Sequence, residues 1–136
     1  SVDISAGELT VFEQYQAAIA AAERTIYIEN QALGCPHTIK AMYQALGRGV
    51  DVTVLTPSIA NEFMKVARKD PRSKQFFERF EALGDYPNYA LMGIGSPDAG
   101  GKLRDIYVHA KAAVIDDAWV TIGSCNVGAR SFFGDT

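Results

Sequence analysis

The chain has 136 residues, 48% hydrophobic and 21% charged, the size and balance of one globular domain with one core. Its net charge of -3 gives no general pull toward nucleic acid or an anionic membrane, although a locally basic site stays compatible with it. No apolar run approaches the roughly 20 residues needed to span a bilayer, and Ser1–Ser5 has neither the basic stretch nor the apolar core of a signal peptide. The chain opens without Met, which suggests a processed or excised piece whose targeting signals were cut away. It reads as a soluble fragment, with its compartment, cytoplasmic or peripheral to a membrane, left open. Two cysteines, Cys35 and Cys125, read as free and fairly buried thiols. Cys35-Pro36-His37 lacks a second ligand pair at metal spacing, so no metal site is expected.

Leu9 to Arg24 reads as a helix, with Phe12, Tyr15, Gln16, Ile19 and Ala22 at helical spacing in an alanine-rich stretch. Thr25–Asn30 is β-branched and aromatic, hence a strand. Gly34-Cys35-Pro36 opens a second helix, in which Ile39, Met42, Tyr43 and Leu46 repeat at three and four, and Gly47-Arg48-Gly49 ends it. Val50–Thr56 alternates as a second strand, so the two strands and their helix form a βαβ unit with parallel pairing. Pro57-Ser58 caps a helix from Ile59 to about Arg68, and Asp70-Pro71 breaks it. Another helix follows from Arg72 to Leu83, with Phe76, Phe77 and Phe80 on one side. Tyr89–Met92 is a third strand candidate, and Ser96–Lys102 a Gly-rich loop without periodicity. Ile106–Ile115 reads as one long strand, Asp116-Asp117 as a turn, and Ala118–Ile122 as the returning strand. Gly123-Ser124 ends it, and a short helix starts near Asn126. The expected fold is α/β: a mixed β-sheet flanked by helices, in a single domain over residues 1–136.

His109 and Lys111 stand two apart on the long strand, so their side chains should share a face, roughly 6 to 7 Å apart. Lysine within an otherwise apolar strand is costly unless an anion meets it, and a phosphate would. Histidine serves as nucleophile or as general acid and base. The pair alone is a weak signal, because a surface-facing polar stripe looks the same. The downstream residues change this. The full string is His109-x-Lys111-x4-Asp116-x6-Gly123-Ser124-x-Asn126. It resembles the signature of the phospholipase D superfamily, the HKD motif. Six typed residues at fixed spacing on a strand–turn–strand make chance agreement unlikely. The chemistry is consistent with the resemblance: Ser124 and Asn126 offer neutral donors to phosphate oxygens, and Lys111 supplies countercharge. Gly123 permits a tight exit from its strand. Asp116 is read as structural, holding the hairpin or a neighbouring basic group, and Asp117 as solvated.

Ile26-Tyr27-Ile28-Glu29-Asn30-Gln31 and Arg48–Leu55 also resemble strand segments of the family, the first those of the second half of two-motif phospholipases D. Glu29 and Gln31 end a strand, where open α/β sheets place ligands, and are supporting candidates. For Gln31, lining the site and structural hydrogen bonding are rival readings. Arg130-Ser131 continues the family's look, and Asp135 is a candidate for the acidic residue that orients the histidine in the family, unless that residue lies beyond the chain's end.

The resemblance implies a phospholipase D-like half domain and a phosphohistidine mechanism without metal or cofactor. One histidine attacks phosphorus and the histidine of a second HKD motif protonates the leaving alcohol. This chain has one such motif, since His37 is followed by Thr38-Ile39-Lys40. The other half must come from the N-terminal part of the same protein or from a second copy, as in single-motif nucleases of the superfamily. The expected activity is phosphodiester hydrolysis or phosphatidyl transfer on phospholipids. Two alternatives stay open: a single-motif homodimeric nuclease, and an inactive half acting only as a folding or binding module. Lys65, Arg68, Lys69, Arg72, Lys74 and Arg79 cluster in the middle helices, as a solvated face or as a surface for headgroups or a nucleic-acid backbone.

Overall fold

The computed structural model describes residues 8–60 and 62–134. Helix α1 spans Thr10–Ala21, shorter at its end than the alanine-rich stretch suggests. Its limit has a cause outside the helix. The N–H groups of Glu23, Arg24 and Thr25 donate to the carboxylate of Asp116, at 2.7 to 2.8 Å, which turns the chain out of helical geometry. The Arg48 guanidinium covers the exposed helix end, donating to the carbonyls of Ile19 and Ala22.

Strand β1 (Thr25–Asn30) follows, then a two-residue strand β2 (Leu33–Gly34). Helix α2 (Pro36–Gly47) has Pro36 in its first turn, and Gly49 ends it at a φ of +89°, a region glycine enters without steric cost. Strand β3 (Asp51–Leu55) pairs parallel with β1, which completes the expected βαβ unit. Helix α3 covers Glu62–Lys69 and α4 covers Lys74–Ala82, with a 3-10 turn at Pro71–Ser73 between them. Strand β4 (Tyr89–Met92) pairs parallel with β3.

The run that reads as one strand from Ile106 to Ile115 is two. Strand β6 (Leu103–Ile106) pairs antiparallel with β5 (Ile94–Pro97), so the stretch read as a structureless Gly-rich loop is the turn of a hairpin. Asp98 holds that turn by accepting from the N–H groups of Gly100 and Lys102 and from the Arg104 guanidinium. Strand β7 begins only at Lys111 and runs to Ile115, pairing antiparallel with both β1 and β8 (Trp119–Ile122). Asp116 and Asp117 both take positive φ, 54° and 55°, the two-residue geometry that suits a tight hairpin. Strand β9 (Val127–Gly128) pairs parallel with β2, and helix α5 (Ala129–Phe133) closes the described residues.

The main sheet has the order β4-β3-β1-β7-β8 and is mixed, as expected. Ile26, Ile28, Val52, Val54, Ala113 and Ile115 face one side and build the core with Ile19 of α1 and Ile39, Met42 and Leu46 of α2. Tyr27, Val114 and Val120 lie on the other side, which is half-buried or exposed. Chain order reverses beside β1: β3 lies on one side and β7 on the other. Open α/β sheets bind ligands at such a switch, beyond the carboxyl ends of the strands.

Candidate active site

The carboxyl end of β1 meets the start of β7 at the register Asn30 to Lys111. Gln31, His109, Lys111, Gly123, Ser124 and Asn126 line an open cleft of about 410 Å³ there. Six of the eight site residues singled out in the sequence are thus brought together across 80 residues of chain and more.

Lys111 is the anchor. It is only 9% exposed, yet its ammonium meets two neutral acceptors: Gln31 Oε1 and the His109 carbonyl, each at 2.9 Å. An ammonium has three donors, so these contacts leave one for a ligand. No carboxylate pairs with it among the described residues. A buried cation satisfied only by neutral groups favours an anion entering beside it. Gln31 therefore both lines the cleft and holds the lysine.

His109 departs from expectation. It does not share a strand face with Lys111, because the chain enters the sheet only at Lys111, while Val108 is buried and pins the approach. The His109 ring is exposed at the mouth of the cleft, 6.3 Å from the Tyr107 ring and 25° from parallel to it. It is accessible to a reacting phosphorus. Asp135 lies outside the described residues.

Ser124 is exposed, with its hydroxyl available to a ligand, and Asn126 is half-buried. The Asn126 amide oxygen is buried without a hydrogen-bond partner among the described residues, as are Asn30 Nδ2 and the Tyr89 hydroxyl. Gly123 is not glycine for the reason expected. Its φ is not positive, and a Cβ there would meet nothing within 4 Å. Its N–H continues the hairpin ladder to the Lys111 carbonyl, and the absent side chain keeps the cleft open.

Two of the eight lie elsewhere. Asp116 holds structure: its carboxylate accepts from the three N–H groups before β1, and its carbonyl accepts from the Arg24 guanidinium. The Thr25 N–H first, then that of Glu23, hold its carboxyl below its ordinary value of 3.8. Glu29 does not line the cleft. Strand alternation sends Asn30 inward and Glu29 to the opposite face, where it accepts from the Tyr27 hydroxyl at 2.6 Å. That hydrogen bond pushes the Tyr27 hydroxyl up to about 12.

Asn30 was missed. Fully buried, it accepts from the N–H groups of Ala32 and Val127, which ties the β1 exit to the chain segment following Asn126. The signal was there: Ile26, Ile28 and Asn30 alternate, so a polar residue occupies an inward position.

His37 packs edge-on against Phe12 and Phe133 and does not line the cleft. A roomier cleft of about 550 Å³ lies between α2 and α4, lined by Lys40, Tyr43, Phe76 and Arg79 among others, but no histidine lines it.

A family model described as "Cardiolipin synthase, PLD-like domain" matches residues 15–136. Among solved structures, NucT from Helicobacter pylori aligns with a TM-score of 0.68 at 19% identity, over 93% of this chain and 72% of that one. Nuc from Salmonella typhimurium, a phospholipase D family member, aligns with a TM-score of 0.62 at 21% identity, over 91% of this chain and 69% of that one. No curated protein sequence matches. At such identities the structural likeness speaks for the fold alone. The family model, however, covers nearly the whole chain, site included, and the chain belongs to the PLD-like domain family.

Proposed function

We propose that the chain is one half of a phosphodiesterase or phosphatidyltransferase acting on phospholipids. The observation that carries this is the buried Lys111, held by neutral groups in a cleft that also presents His109, Ser124 and Asn126. In the reaction, one histidine of a pair attacks phosphorus. A P–N bond forms, the P–O bond to the leaving alcohol breaks, and the other histidine gives that alcohol its proton. The same group then takes a proton from water or a second alcohol, which cleaves the P–N bond. Lys111, Ser124 and Asn126 hold the non-bridging oxygens as charge builds on them. One imidazole cannot attack and protonate at once, so a second HKD half supplies the other, from a longer chain or from a second copy. No metal or cofactor has a part in this scheme.

Charge favours lipid over nucleic acid. The basic run on α3 and α4 is offset by carboxylates: Lys65 pairs with Glu62, Arg68 with Glu81, Arg72 with Asp70 and Lys74 with Glu78. Such exposed pairs add little stability, but they offset four of the six basic side chains in this run, Lys69 and Arg79 having no carboxylate partner among the described residues.

Headgroup release from phospholipid vesicles, run beside nicking of supercoiled DNA on the assembled protein, tests the reading. Lipid turnover is expected, with His109→Ala reducing it by about 10³-fold or more and Lys111→Ala weakening phosphate binding. DNA cleavage without lipid turnover would overturn the substrate, and near-normal activity in either variant would overturn the site.

A further inference from the structure

A second recess, of about 210 Å³, lies beside the phosphate cleft, and Gln31 lines both. It sits at the carboxyl ends of β1 and β3, where residues 31–33 and 56–60 leave the sheet. Most of its lining is apolar, Leu33, Pro57, Ile59, Met64, Phe80 and Leu91 included, with Thr56 and Ser58 as polar exceptions beside Gln31. Among the described residues its one charged side chain is Arg68, and that charge is engaged: the guanidinium pairs with Glu81 and lies 4.7 Å over the Phe77 ring.

We infer that this recess takes the aliphatic chain of the phosphodiester whose phosphate sits on Lys111. The inference rests on the proposed reading of the phosphate cleft and says where the aliphatic part of that substrate is held. Three observations support it. The recess adjoins the cleft, with Gln31 in the wall of both. Its only charge is neutralised, so it offers no purchase to the flanking phosphates of a nucleic-acid strand. Most of its side chains are apolar, so a nucleobase seated there would find few partners for its ring donors and acceptors, which a hydrocarbon does not need.

The test is binding to the full chain carrying His109→Ala, so that nothing turns over. The probes are methyl n-alkyl phosphates from ethyl to octyl, with dimethyl phosphate as the base case. Affinity is expected to rise about two- to fourfold per added methylene until the recess is full. Ile59→Asp and Leu91→Asp, at positions 58% and 49% exposed and so tolerant of change, should flatten that rise while leaving dimethyl phosphate binding as it was. Val120→Asp, outside the recess, should leave the rise intact. Binding that is measurable but independent of chain length overturns the recess while the phosphate cleft stands. A rise that survives both recess variants places the chain elsewhere and also overturns it. Failure of every phosphate to bind, dimethyl phosphate included, sinks the phosphate-cleft reading itself, and this inference with it.

Discussion

The residue with the most reach in this fold is Asp116, although it does no chemistry. Its carboxylate gathers the N–H groups of Glu23, Arg24 and Thr25, and its own carbonyl accepts from the Arg24 guanidinium. The tip of the hairpin carrying Lys111 at one end is thereby fastened to the entry of β1, which carries Gln31 at its exit. The carboxyl is held below its ordinary value, chiefly by the Thr25 N–H. A depressed folded value means the stabilisation is complete above about pH 4, the unfolded range, and is lost as pH falls through the folded value. Asp116→Asn cannot accept all three N–H groups. It is expected to lower the thermal midpoint at pH 7 and to show a shallower loss of stability between about pH 4 and pH 2 than the parent chain. Parallel acid-induced slopes in melts monitored by circular dichroism would show that Asp116 does not supply this linkage.

Among the elements, the β3–α3 loop is placed by an unusually close approach. A Cβ on Gly93 would stand 2.1 Å from Ser58 Oγ, 2.9 Å from its Cβ and 3.2 Å from its Cα. The loop that walls the apolar recess thus rests directly on the chain after β4. Gly93→Ala should cost about 1–3 kcal/mol in urea unfolding, as overpacking does. Adding Ser58→Gly should recover most of it, because two of the three close atoms go; no recovery would mean that the backbone contact alone decides. The limits of sequence reading belong to this scale too. The βαβ unit and the Asp116-Asp117 hairpin are legible because their strands bury one face and alternate. The β5–β6 hairpin is not, because all eight of its residues are exposed and no alternation records a strand that buries nothing. His109, Lys111, Ser124 and Asn126, which line one cleft, are legible as a set through their resemblance to the HKD motif. The Gln31–Lys111 bond is not, since it is made by a register between strands 80 residues apart. The same register explains Glu29, whose neighbours in sequence enter the site while its own face does not.

For the molecule as a whole, the chemistry and the surface ask for the same thing. One exposed histidine lines the cleft among the described residues, and the proposed reaction needs two. The face of the sheet away from α1 and α2 ends at edge strand β8, where Val120 and Ile122 are 64% and 82% exposed, directly before Gly123 and Ser124. An edge strand with exposed β-branched residues is a ready pairing surface. An interface of ordinary size needs about 800 Å² per partner, about a tenth of the 8646 Å² this chain exposes. If a second half docks here, Ile122→Lys should keep the fold, since the side chain touches little within the chain, and weaken assembly about tenfold or more, as loss of an interface anchor does. Light scattering reads the assembly and phosphodiester turnover reads its consequence. The two should fall together and recover together as protein concentration rises if the partner is a second copy. If the partner is another part of a longer chain, this chain alone should be monomeric and inactive, and turnover should appear when that part is added, with Ile122→Lys raising the amount required. An Ile122→Lys protein that assembles and turns over as the parent does would move the interface to another face.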